Sequence, residues 1–336
     1  MTNIERYHRQ MLLEEWKQER LSSATVLIAG VGALGTVVAT NLTMMGIGHL
    51  ILVDFDIVEL SNLNRQLLFS ERDIGKPKVL AAKERLLAMN SEVEITTIYD
   101  DITKMDKSIF KECDVVIDGL DNFDIKRWLN AMCIKFRKPL IHGGIYGWYG
   151  NVQVIIPFKT PCLECHPLIP DQRLQQSCTR PDLTSEELQM QQSNAMPSIS
   201  PVAMTIGSIQ AMEAAKILMG INTILDAFLF YDARSEAFTK IKLSRNPECA
   251  ICGDKFRTSE LEIRVSDWDV KLSFIVRNLQ IDYGLENPEI ILNGRLLTNS
   301  DLNKSLCELS ILPGTRLFVI DKRLERPLKV IFAKKQ

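Results

Sequence analysis

Three glycines, Gly30, Gly32 and Gly35, form the pattern in this sequence best suited to chemistry. The first glycine permits a tight turn, the second lets the backbone approach a phosphate, and the third lets a helix pack closely on a strand. Backbone N–H groups at the start of that helix then face an anion. Asp54, about twenty residues further on, stands where an acidic side chain hydrogen-bonds a ribose hydroxyl. The pattern predicts a nucleotide or dinucleotide site.

Two cations, Arg65 and Lys78, follow the glycine pattern and narrow the choice of ligand. A dehydrogenase of this type needs only the acidic residue, whereas two cations suit a triphosphate. A guanidinium offers a fixed fork of donors, and an ammonium is a point charge. The alternative for this pair is a solvated surface. An NAD dehydrogenase also stays open, although no catalytic His/Asp pair accompanies the pattern.

Two Cys-x-x-Cys pairs offer four thiolates in two knuckles, which is the tetrahedral set that zinc requires. The ligands would be Cys162, Cys165, Cys249 and Cys252. Four protein ligands leave no open position, so the predicted zinc is structural. The separation between the pairs exceeds the usual ribbon spacing, and four buried thiols without metal are the alternative.

The long polar stretch 167–197 contains Cys178, which is surplus to the zinc ligands. Loops of this length are usually functional. Arg173 and Arg180 would favour the thiolate if they fold close to it, and a thiolate is the natural nucleophile for an acyl adenylate. The alternative is an inert surface cysteine. The remaining cysteines lie in apolar segments and are predicted to be core residues: Cys113, Cys133 and Cys307.

Alternating strand and helix patterns must position these residues. Strands are predicted at 26–29, 49–53, 93–99, 113–118, 138–142, 152–156, 228–232 and 237–243, and helices at 4–22, 71–90, 123–136 and 199–219, besides one that ends at Gly46. Near-continuous apolar strands followed by antiparallel pairs indicate a Rossmann-like mixed α/β sheet with helices on both faces.

The pattern changes from residue 261 onward, where a second, smaller domain is predicted over 261–336. Its expected order is a strand at 261–265, a helix at 271–283, a hairpin turning at Asn293-Gly294, a helix at 301–309 and strands at 315–321 and 328–332. This is a small β-grasp pattern.

Composition excludes some classes of function. With 336 residues, 46% of them hydrophobic, the chain can bury one sizeable core and a second small one. A formal net charge of −2 leaves no basic excess for nucleic acid. No signal-peptide core or apolar run that would span a membrane is recognised, so a soluble, cytoplasmic protein without a membrane partner is expected.

Several ordered motifs together carry a family resemblance. The runs GVGALG, DFDIVELSNLNRQ, GKPK and DGLDN resemble the adenylation domain of ubiquitin-activating enzymes, which bacterial adenylyltransferases for molybdopterin and thiamine sulfur carriers share. The likeness covers residues 4 to 253 and implies an adenylation domain at 1–255, with a crossover loop at about 167–197. It implies ATP and Mg²⁺ as cofactors beside Zn²⁺, and it implies binding roles for Gly30, Gly32, Gly35, Asp54, Asp56, Asn62, Arg65, Gln66, Lys78, Asp121 and Arg9.

In this resemblance Asp54 holds the ribose, while Arg65 and Lys78 are catalytic cations that hold the phosphates with Asn62 and Gln66. Asp121 is both a catalytic residue and the magnesium ligand. Taken alone, Asp121 would be the N-cap of the following helix. The resemblance further implies that Arg9 is supplied to the nucleotide site by the partner in a symmetric homodimer.

The resemblance also implies a function. Cys178-Thr179 resembles the start of the catalytic-cysteine segment, and the carboxyl-terminal run resembles the ubiquitin-fold domain that recruits a conjugating enzyme. The implied activity is activation of a ubiquitin-like modifier ending in Gly-Gly, with a thioester on Cys178 and transfer to an enzyme docked on 261–336. The alternatives are an adenylyltransferase for a sulfur carrier and a non-catalytic scaffold. The larger relatives insert a whole domain around the cysteine, whereas this chain has only the loop 167–197.

Overall fold

The computed structural model describes residues 4–166, 196–221, 223, 227–253, 260–292, 295–321, 323 and 328–334. Its internal contacts divide the chain into two compact units, Met1–Asn246 and Pro247–Gln336. Each unit has its own sheet. Cys178 and most of the predicted crossover loop lie outside the described residues.

The first unit is built on an eight-stranded mixed sheet in the order β3-β2-β1-β4-β5-β6-β7-β8. Its strands are β1 Thr25–Ala29, β2 His49–Val53, β3 Glu94–Ile98, β4 Val115–Asp118, β5 Leu140–Tyr146, β6 Tyr149–Ile155, β7 Ala227–Asp232 and β8 Ala237–Lys242. The strands β1 to β5 pair in parallel, and β5 to β8 pair antiparallel. The predicted mixed sheet is therefore confirmed.

Seven helices accompany this sheet among the described residues. They are α1 Ile4–Met11, α2 Gln18–Ser22, α3 Ala33–Met45, α4 Lys78–Met89, α5 Ile109–Glu112, α6 Phe123–Lys135 and α7 Ser200–Met219. The chain leaves β1 toward β2 through α3, and it leaves β4 toward β5, in the opposite direction along the sheet, through α6. Because such crossovers are right-handed, α3 and α6 lie on opposite faces. The switch between β1 and β4 opens a crevice at their carboxyl ends.

Helix α7 is the central core helix of the first unit. It is long and apolar enough to cross a membrane by length and composition, with a mean hydropathy of 1.2 in its most apolar window. However, Val202, Ile206 and Ala211 belong to the main core cluster of the unit, and the helix packs against α3. Its apolar residues are therefore explained by packing within the unit.

Two predicted helices of the first unit have different bounds. The helix predicted over 4–22 is broken, because Lys17 has a non-helical backbone (φ −126°, ψ 79°) between α1 and α2. The helix predicted over 71–90 begins only at Lys78, after a 3-10 turn at Glu71–Asp73. Gly75 has a φ of +85° and Pro77 has an extended ψ of 131°, so the helix does not continue backwards.

The second unit is a five-stranded sheet in the order β11-β10-β12-β13-β9, with a buried apolar cluster of its own. Its elements are β9 Glu260–Val265, α8 Leu272–Tyr283, β10 Glu289–Leu292, β11 Arg295–Leu296, α9 Asn299–Leu302, β12 Arg316–Ile320 and β13 Leu328–Lys334. Strands β9 and β13 are parallel, and the other neighbours are antiparallel. The hairpin turn at Asn293-Gly294 lies outside the described residues.

The helix predicted over 301–309 is wrong in extent, since α9 ends at Leu302. Ser305 forms a β-bridge with Lys271 just before α8, and this bridge removes it from a helical path. The assignment of this unit to the ubiquitin fold stays a prediction.

Candidate active site

A cavity of about 200 Å³ lies in the first unit, where the sheet changes direction. All of the predicted nucleotide-binding residues line it except Gly35 and Arg9: Gly30, Gly32, Asp54, Asp56, Asn62, Arg65, Gln66, Lys78 and Asp121. These residues come from the ends of β1, β2 and β4 and from the segment that leads into α4. The structure thus brings together side chains that are spread over about ninety positions of the chain.

The glycine loop is shaped by close backbone approaches. Gly30 has a φ of +87°, and a Cβ there would lie 2.7 Å from the carbonyl oxygen of Gly119. A Cβ on Gly35 would lie 1.9 Å from the carbonyl oxygen of Gly30, so only glycine lets α3 start at this place. At Gly32 the nearest atoms are 3.9 Å away, and the backbone faces the cavity. Each glycine therefore has the kind of surroundings that the sequence pattern predicts.

Asp54 at the end of β2 holds this loop in place. Its carboxylate accepts hydrogen bonds from the backbone N–H of Val31 at 2.7 Å and from that of Asp56 at 2.8 Å. Burial raises the pKa of Asp54, although the nearby Lys78 ammonium acts in the opposite direction. The side chain predicted to hold a ribose also fixes the turn beneath it.

Lys78 at the start of α4 is buried and points at the same region. Its ammonium donates to the carboxylate of Asp56 at 2.7 Å, and only 5% of the residue is exposed. The backbone N–H of Lys78 donates to the carbonyl oxygen of Asp56 at 2.9 Å, so the two residues are doubly linked. This pair presents one cation and one carboxylate to the cavity in a fixed arrangement.

The turn between β2 and α4 carries the other predicted phosphate-binding side chains. The Asn62 side chain accepts a hydrogen bond from the backbone N–H of Glu59 at 3.0 Å, which closes a short 3-10 helix. Arg65 donates to the carbonyl oxygen of Ser61 at 2.8 Å. Gln66 is 5% exposed, and its buried Oε1 has no hydrogen-bond partner among the described residues. A buried amide oxygen without a partner in a cavity wall can accept a hydrogen bond from a polar ligand.

Asp121 follows β4 and lines the cavity while being partly buried. Burial raises its pKa, and the Asp56 carboxylate raises it further, so the two carboxylates lie close enough to interact. Two neighbouring carboxylates suit a hard divalent cation that also binds phosphate oxygens. The N-cap role for Asp121 is wrong. Asn122 caps α6 instead, by accepting from the backbone N–H groups of Asp124 and Ile125.

Sequence reasoning missed a buried charged network behind the cavity. The Asp118 carboxylate accepts from the Lys126 ammonium at 2.9 Å, from His142 Nδ1 at 2.6 Å and from the backbone N–H of Leu120 at 3.1 Å. Burial opposes ionisation of Asp118, but Lys126 and His142 together hold its pKa below the usual range. Burial lowers the pKa of His142, although Asp118 acts in the opposite direction. Lys126 lines the cavity itself.

The network depends on strand register, because Asp118 and His142 are cross-strand partners in the β4–β5 ladder. The only sequence signal was that Asp118 ends an apolar strand, where a charged side chain reaches the carboxyl edge of the sheet.

The four predicted zinc ligands form a cluster. The Sγ atoms of Cys162, Cys165, Cys249 and Cys252 lie within 4.8 Å of one another, and all four residues are buried. A Zn–S bond of about 2.3 Å places the sulfurs of a tetrahedral site ~3.8 Å apart, so the four donors fit zinc. The thiolates would hold the ion without an open position.

Helix α6 holds the first knuckle of this cluster. Arg127 forms a two-pronged ion pair with Glu164 at 2.6 and 3.0 Å. The side chain of Asn130, which is buried, accepts from the backbone N–H of Leu163 at 3.4 Å.

Other predicted residues lie away from the cavity. Arg9 is exposed in the last turn of α1 and does not line the cavity. Cys178 lies outside the described residues. Cys113 and Cys133 are buried as predicted, whereas the core prediction for Cys307 is wrong because that residue is exposed.

Comparisons with known proteins agree with this geometry. A sequence model of the ThiF family matches residues 7–251, which include every residue of the cavity. The sulfur carrier protein adenylyltransferase of Thermus thermophilus is 35% identical over 269 residues, which are 77% of this chain and 94% of the relative. The SAMP-activating enzyme E1 of Haloferax volcanii is 33% identical over 261 residues, covering 75% of this chain and 90% of that protein.

A solved structure extends the likeness to three dimensions. Escherichia coli MccB with ATP matches with a TM-score of 0.61 at 27% identity, and the match covers 74% of this chain and 74% of MccB. The predicted relation to sulfur-carrier adenylyltransferases and E1-like enzymes is thereby confirmed for the first unit.

Proposed function

Because the chain belongs to the ThiF family of ATP-dependent adenylyltransferases, we propose that it adenylates the terminal carboxylate of a small sulfur-carrier protein ending in Gly-Gly. The observation that carries this proposal is that one cavity gathers the glycine loop, the cations Arg65 and Lys78, and the neighbouring carboxylates of Asp56 and Asp121. A triphosphate with a divalent cation matches this set of charges better than a dinucleotide does.

In the proposed reaction a carboxylate oxygen of the carrier attacks the α-phosphorus of ATP. The bond from that phosphorus to the β-phosphate bridging oxygen breaks, pyrophosphate leaves with the electron pair, and an acyl adenylate remains. The chain's own contribution is positioning and charge neutralisation. Arg65 and Lys78, with Asn62 and Gln66, would hold phosphate oxygens.

Asp54 would hold the ribose, and the glycine loop would approach the phosphates. Asp121, with Asp56 beside it, would hold Mg²⁺, which supplies neutralisation of the developing phosphate charge when bound.

The test is carrier-dependent exchange of labelled pyrophosphate into ATP. Wild-type protein should exchange only when a sulfur carrier with a free terminal carboxylate is present. Asp121→Asn should lower the exchange rate by at least about a hundredfold, because the carboxylate that would hold Mg²⁺ is lost. Asp124→Asn, which changes an exposed aspartate in the first turn of α6, is the matched control and should stay within about twofold of wild type. Exchange that needs no carrier, or that survives in Asp121→Asn, would contradict the proposal.

A second candidate is activation of a ubiquitin-like modifier with a thioester on Cys178 and transfer to a conjugating enzyme. It is favoured by the Haloferax volcanii relative, whose name is SAMP-activating enzyme E1, and by a second unit with its own core. In this reading the Cys178 thiolate attacks the acyl carbon of the adenylate and AMP leaves. Residues 261–336 would then dock the conjugating enzyme.

The two candidates differ in their products. Under the second candidate, Cys178→Ala keeps pyrophosphate exchange but forms no thiol-sensitive conjugate, and deletion of 261–336 keeps the conjugate but slows its transfer. Under the first candidate, thiocarboxylate appears with a sulfur donor whether or not 261–336 are present. Non-reducing gels and mass spectrometry of the carrier distinguish these outcomes.

The proposed homodimer would complete each cavity with Arg9 from the partner. Mixing Arg9→Ala protein with Asp121→Asn protein should then restore exchange to part of the wild-type rate, since one site of each mixed dimer has both residues. Mixed dimers that are demonstrated by tagged pull-down but remain inactive would remove the cross-subunit role of Arg9.

A further inference from the structure

The cavity wall contains a third cation to which the nucleotide motifs assign no role. Among the described residues, the cationic side chains that line the cavity are Arg65, Lys78 and Lys126. Lys126 lies in the first turns of α6 and is only 5% exposed. A lysine so deeply buried is retained only where its charge is paired and its donors are used.

The hydrogen bonds of Lys126 leave one donor for the cavity. An ammonium group has three N–H donors. Lys126 Nζ donates to the Asp118 carboxylate at 2.9 Å and to the carbonyl oxygen of Gly143 at 3.0 Å. These are the hydrogen bonds of Nζ in the described part of the chain. A buried donor left without an acceptor is costly, and the residue borders the cavity, so a ligand there is the natural acceptor.

Lys126 stands on the side of the cavity opposite to the other buried cation. Lys78 is bound to Asp56, just beyond the end of β2, whereas Lys126 contacts Gly143 in β5. In the sheet order, β1 and β4 separate β2 from β5. Gly144 and Ile145, which follow Gly143 in β5, also line the cavity.

The electrostatic surroundings of Lys126 suit an arriving anion. Its charge is balanced by Asp118, and burial lowers the pKa of His142, which keeps that imidazole neutral near pH 7. Asp118, Lys126 and neutral His142 together therefore have no net charge. Burial raises the pKa of Asp121, and Lys126 acts in the opposite direction, so these two cavity residues also interact. A carboxylate entering from the β5 side meets the remaining N–H donor of Lys126. A charge-assisted hydrogen bond of this type is stronger than a neutral one.

We propose that Lys126 binds the terminal carboxylate of the acyl substrate and holds it for attack on the α-phosphorus. The inference rests on the proposed function and adds a carboxylate-binding residue to it. Lys78 and Arg65 serve the nucleotide on the β2 side, and Lys126 serves the nucleophile on the β5 side. The Asp118 and His142 side chains position the ammonium.

The test measures carboxylate recognition without turnover. A short fluorescein-labelled peptide ending in Gly-Gly is titrated with the full-length protein in the presence of Mg²⁺ and AMPCPP. The same peptide with an amidated carboxyl terminus is titrated alongside. Wild type should bind the carboxylate form about tenfold more tightly than the amide. Lys126→Met should bind both forms equally, and Lys126→Arg should restore the preference.

Three controls separate recognition from folding. Lys107→Met removes an exposed lysine of the same unit and should keep the wild-type preference. The peptide titrations use only variants whose circular dichroism and cooperative thermal unfolding match those of wild type, so a lost preference is not a loss of folding. The double variant Asp118→Asn/Lys126→Met removes both buried charges together, so it avoids an unpaired aspartate and should also show no preference.

The outcomes are decisive in each direction. Equal binding of both peptides by wild type, or a preference that persists in folded Lys126→Met, would overturn the inference. Pyrophosphate exchange measured in parallel distinguishes the two proposals. If pyrophosphate exchange requires the carrier but the preference for the peptide carboxylate does not depend on Lys126, the proposed function is supported and the role of Lys126 is refuted. A Lys126-dependent preference without carrier-dependent exchange leaves a carboxylate site that serves another acyl substrate.

Discussion

At the residue scale, Gly35 shows how a missing side chain shapes the nucleotide loop. It lies in the first turn of α3, where a Cβ would come within 1.9 Å of the Gly30 carbonyl oxygen. Helix propensity alone favours alanine over glycine by about 1 kcal/mol. Packing at this position opposes that preference.

We expect Gly35→Ala to lower the free energy of unfolding by at least roughly 2 kcal/mol, because overpacking exceeds the gain in propensity. Gly75→Ala is the matched control. Gly75 has a φ of +85°, and a Cβ at this position would have no atom within 4 Å, so only backbone strain of about 1 kcal/mol applies. Urea unfolding of the two variants checks the order. A Gly35→Ala protein more stable than wild type would contradict the geometry.

His142 makes the stability of the first unit depend on pH. Burial holds its pKa in the folded state below the usual value, with Asp118 opposing the shift. The unfolded chain therefore takes up the proton first, near pH 6.5. The stability that neutral His142 contributes is present above that pH and is lost as the pH falls through the folded-state pKa.

We predict that wild type loses more unfolding free energy between pH 7.5 and pH 5.5 than His142→Gln does. Glutamine retains an N–H donor for Asp118 but does not titrate. His49→Gln, which removes a histidine elsewhere in the sheet, should keep the wild-type dependence. Urea titrations at the two pH values provide the measurement, and identical losses in wild type and His142→Gln would exclude His142 as the source.

At the element scale, α6 connects the cavity to the cysteine cluster. Its cap, Asn122, directly follows Asp121, and its first turns carry Lys126. The next residues along the helix hold the first knuckle, since Arg127 pairs with Glu164 and Asn130 binds the backbone of Leu163. One helix thus sets the position of a proposed magnesium ligand, a proposed carboxylate ligand and two thiols.

The close packing of α3 against α7 also fixes the position of the glycine loop. A Cβ on Gly207 in α7 would lie 2.7 Å from Val37 Cβ and 3.1 Å from the Leu34 carbonyl oxygen in α3. The two helices therefore approach as closely as a glycine permits, and α3 begins directly at the nucleotide loop.

We expect Gly207→Ala to destabilise the protein by about 1–3 kcal/mol through overpacking and to weaken ATP binding by shifting α3. Met204→Ala, which is on the same helix but is 38% exposed, should change neither quantity appreciably. Thermal unfolding and ATP titration test both effects. Normal ATP affinity in a destabilised Gly207→Ala protein would show that the loop does not depend on this contact.

At the scale of the whole molecule, the four buried thiols carry a metal prediction. Elemental analysis should find one zinc per chain, since the set Cys162, Cys165, Cys249 and Cys252 offers a complete tetrahedral site. Cys249→Ser should lower both the zinc content and the melting temperature, because binding free energy contributes to folding.

Cys307→Ser is the control for that measurement. Cys307 is exposed and is not part of the cluster, so zinc content and melting temperature should not change. If wild-type protein is isolated without zinc and has the same melting temperature as Cys249→Ser, the four residues are ordinary buried cysteines.

The sequence by itself determined the features that depend on short-range spacing. The glycine pattern, Asp54 about twenty residues after it, and the two Cys-x-x-Cys pairs can be recognised from residue type and spacing along the chain. Strand β2 was predicted with the observed bounds, His49–Val53, because a short apolar run ends at glycine on one side and at an acid on the other. The family likeness then linked these segments.

Only the tertiary structure decided which distant side chains meet. Asp118, Lys126 and His142 form one network because β4 pairs with β5 in a particular register and α6 crosses behind them. A shift of that register by one residue would turn His142 to the other face of the sheet, and no local pattern in the sequence encodes the choice. The early end of α9 has a similar cause, since the bridge between Ser305 and Lys271 joins residues far apart in the chain and outweighs the local helix preference.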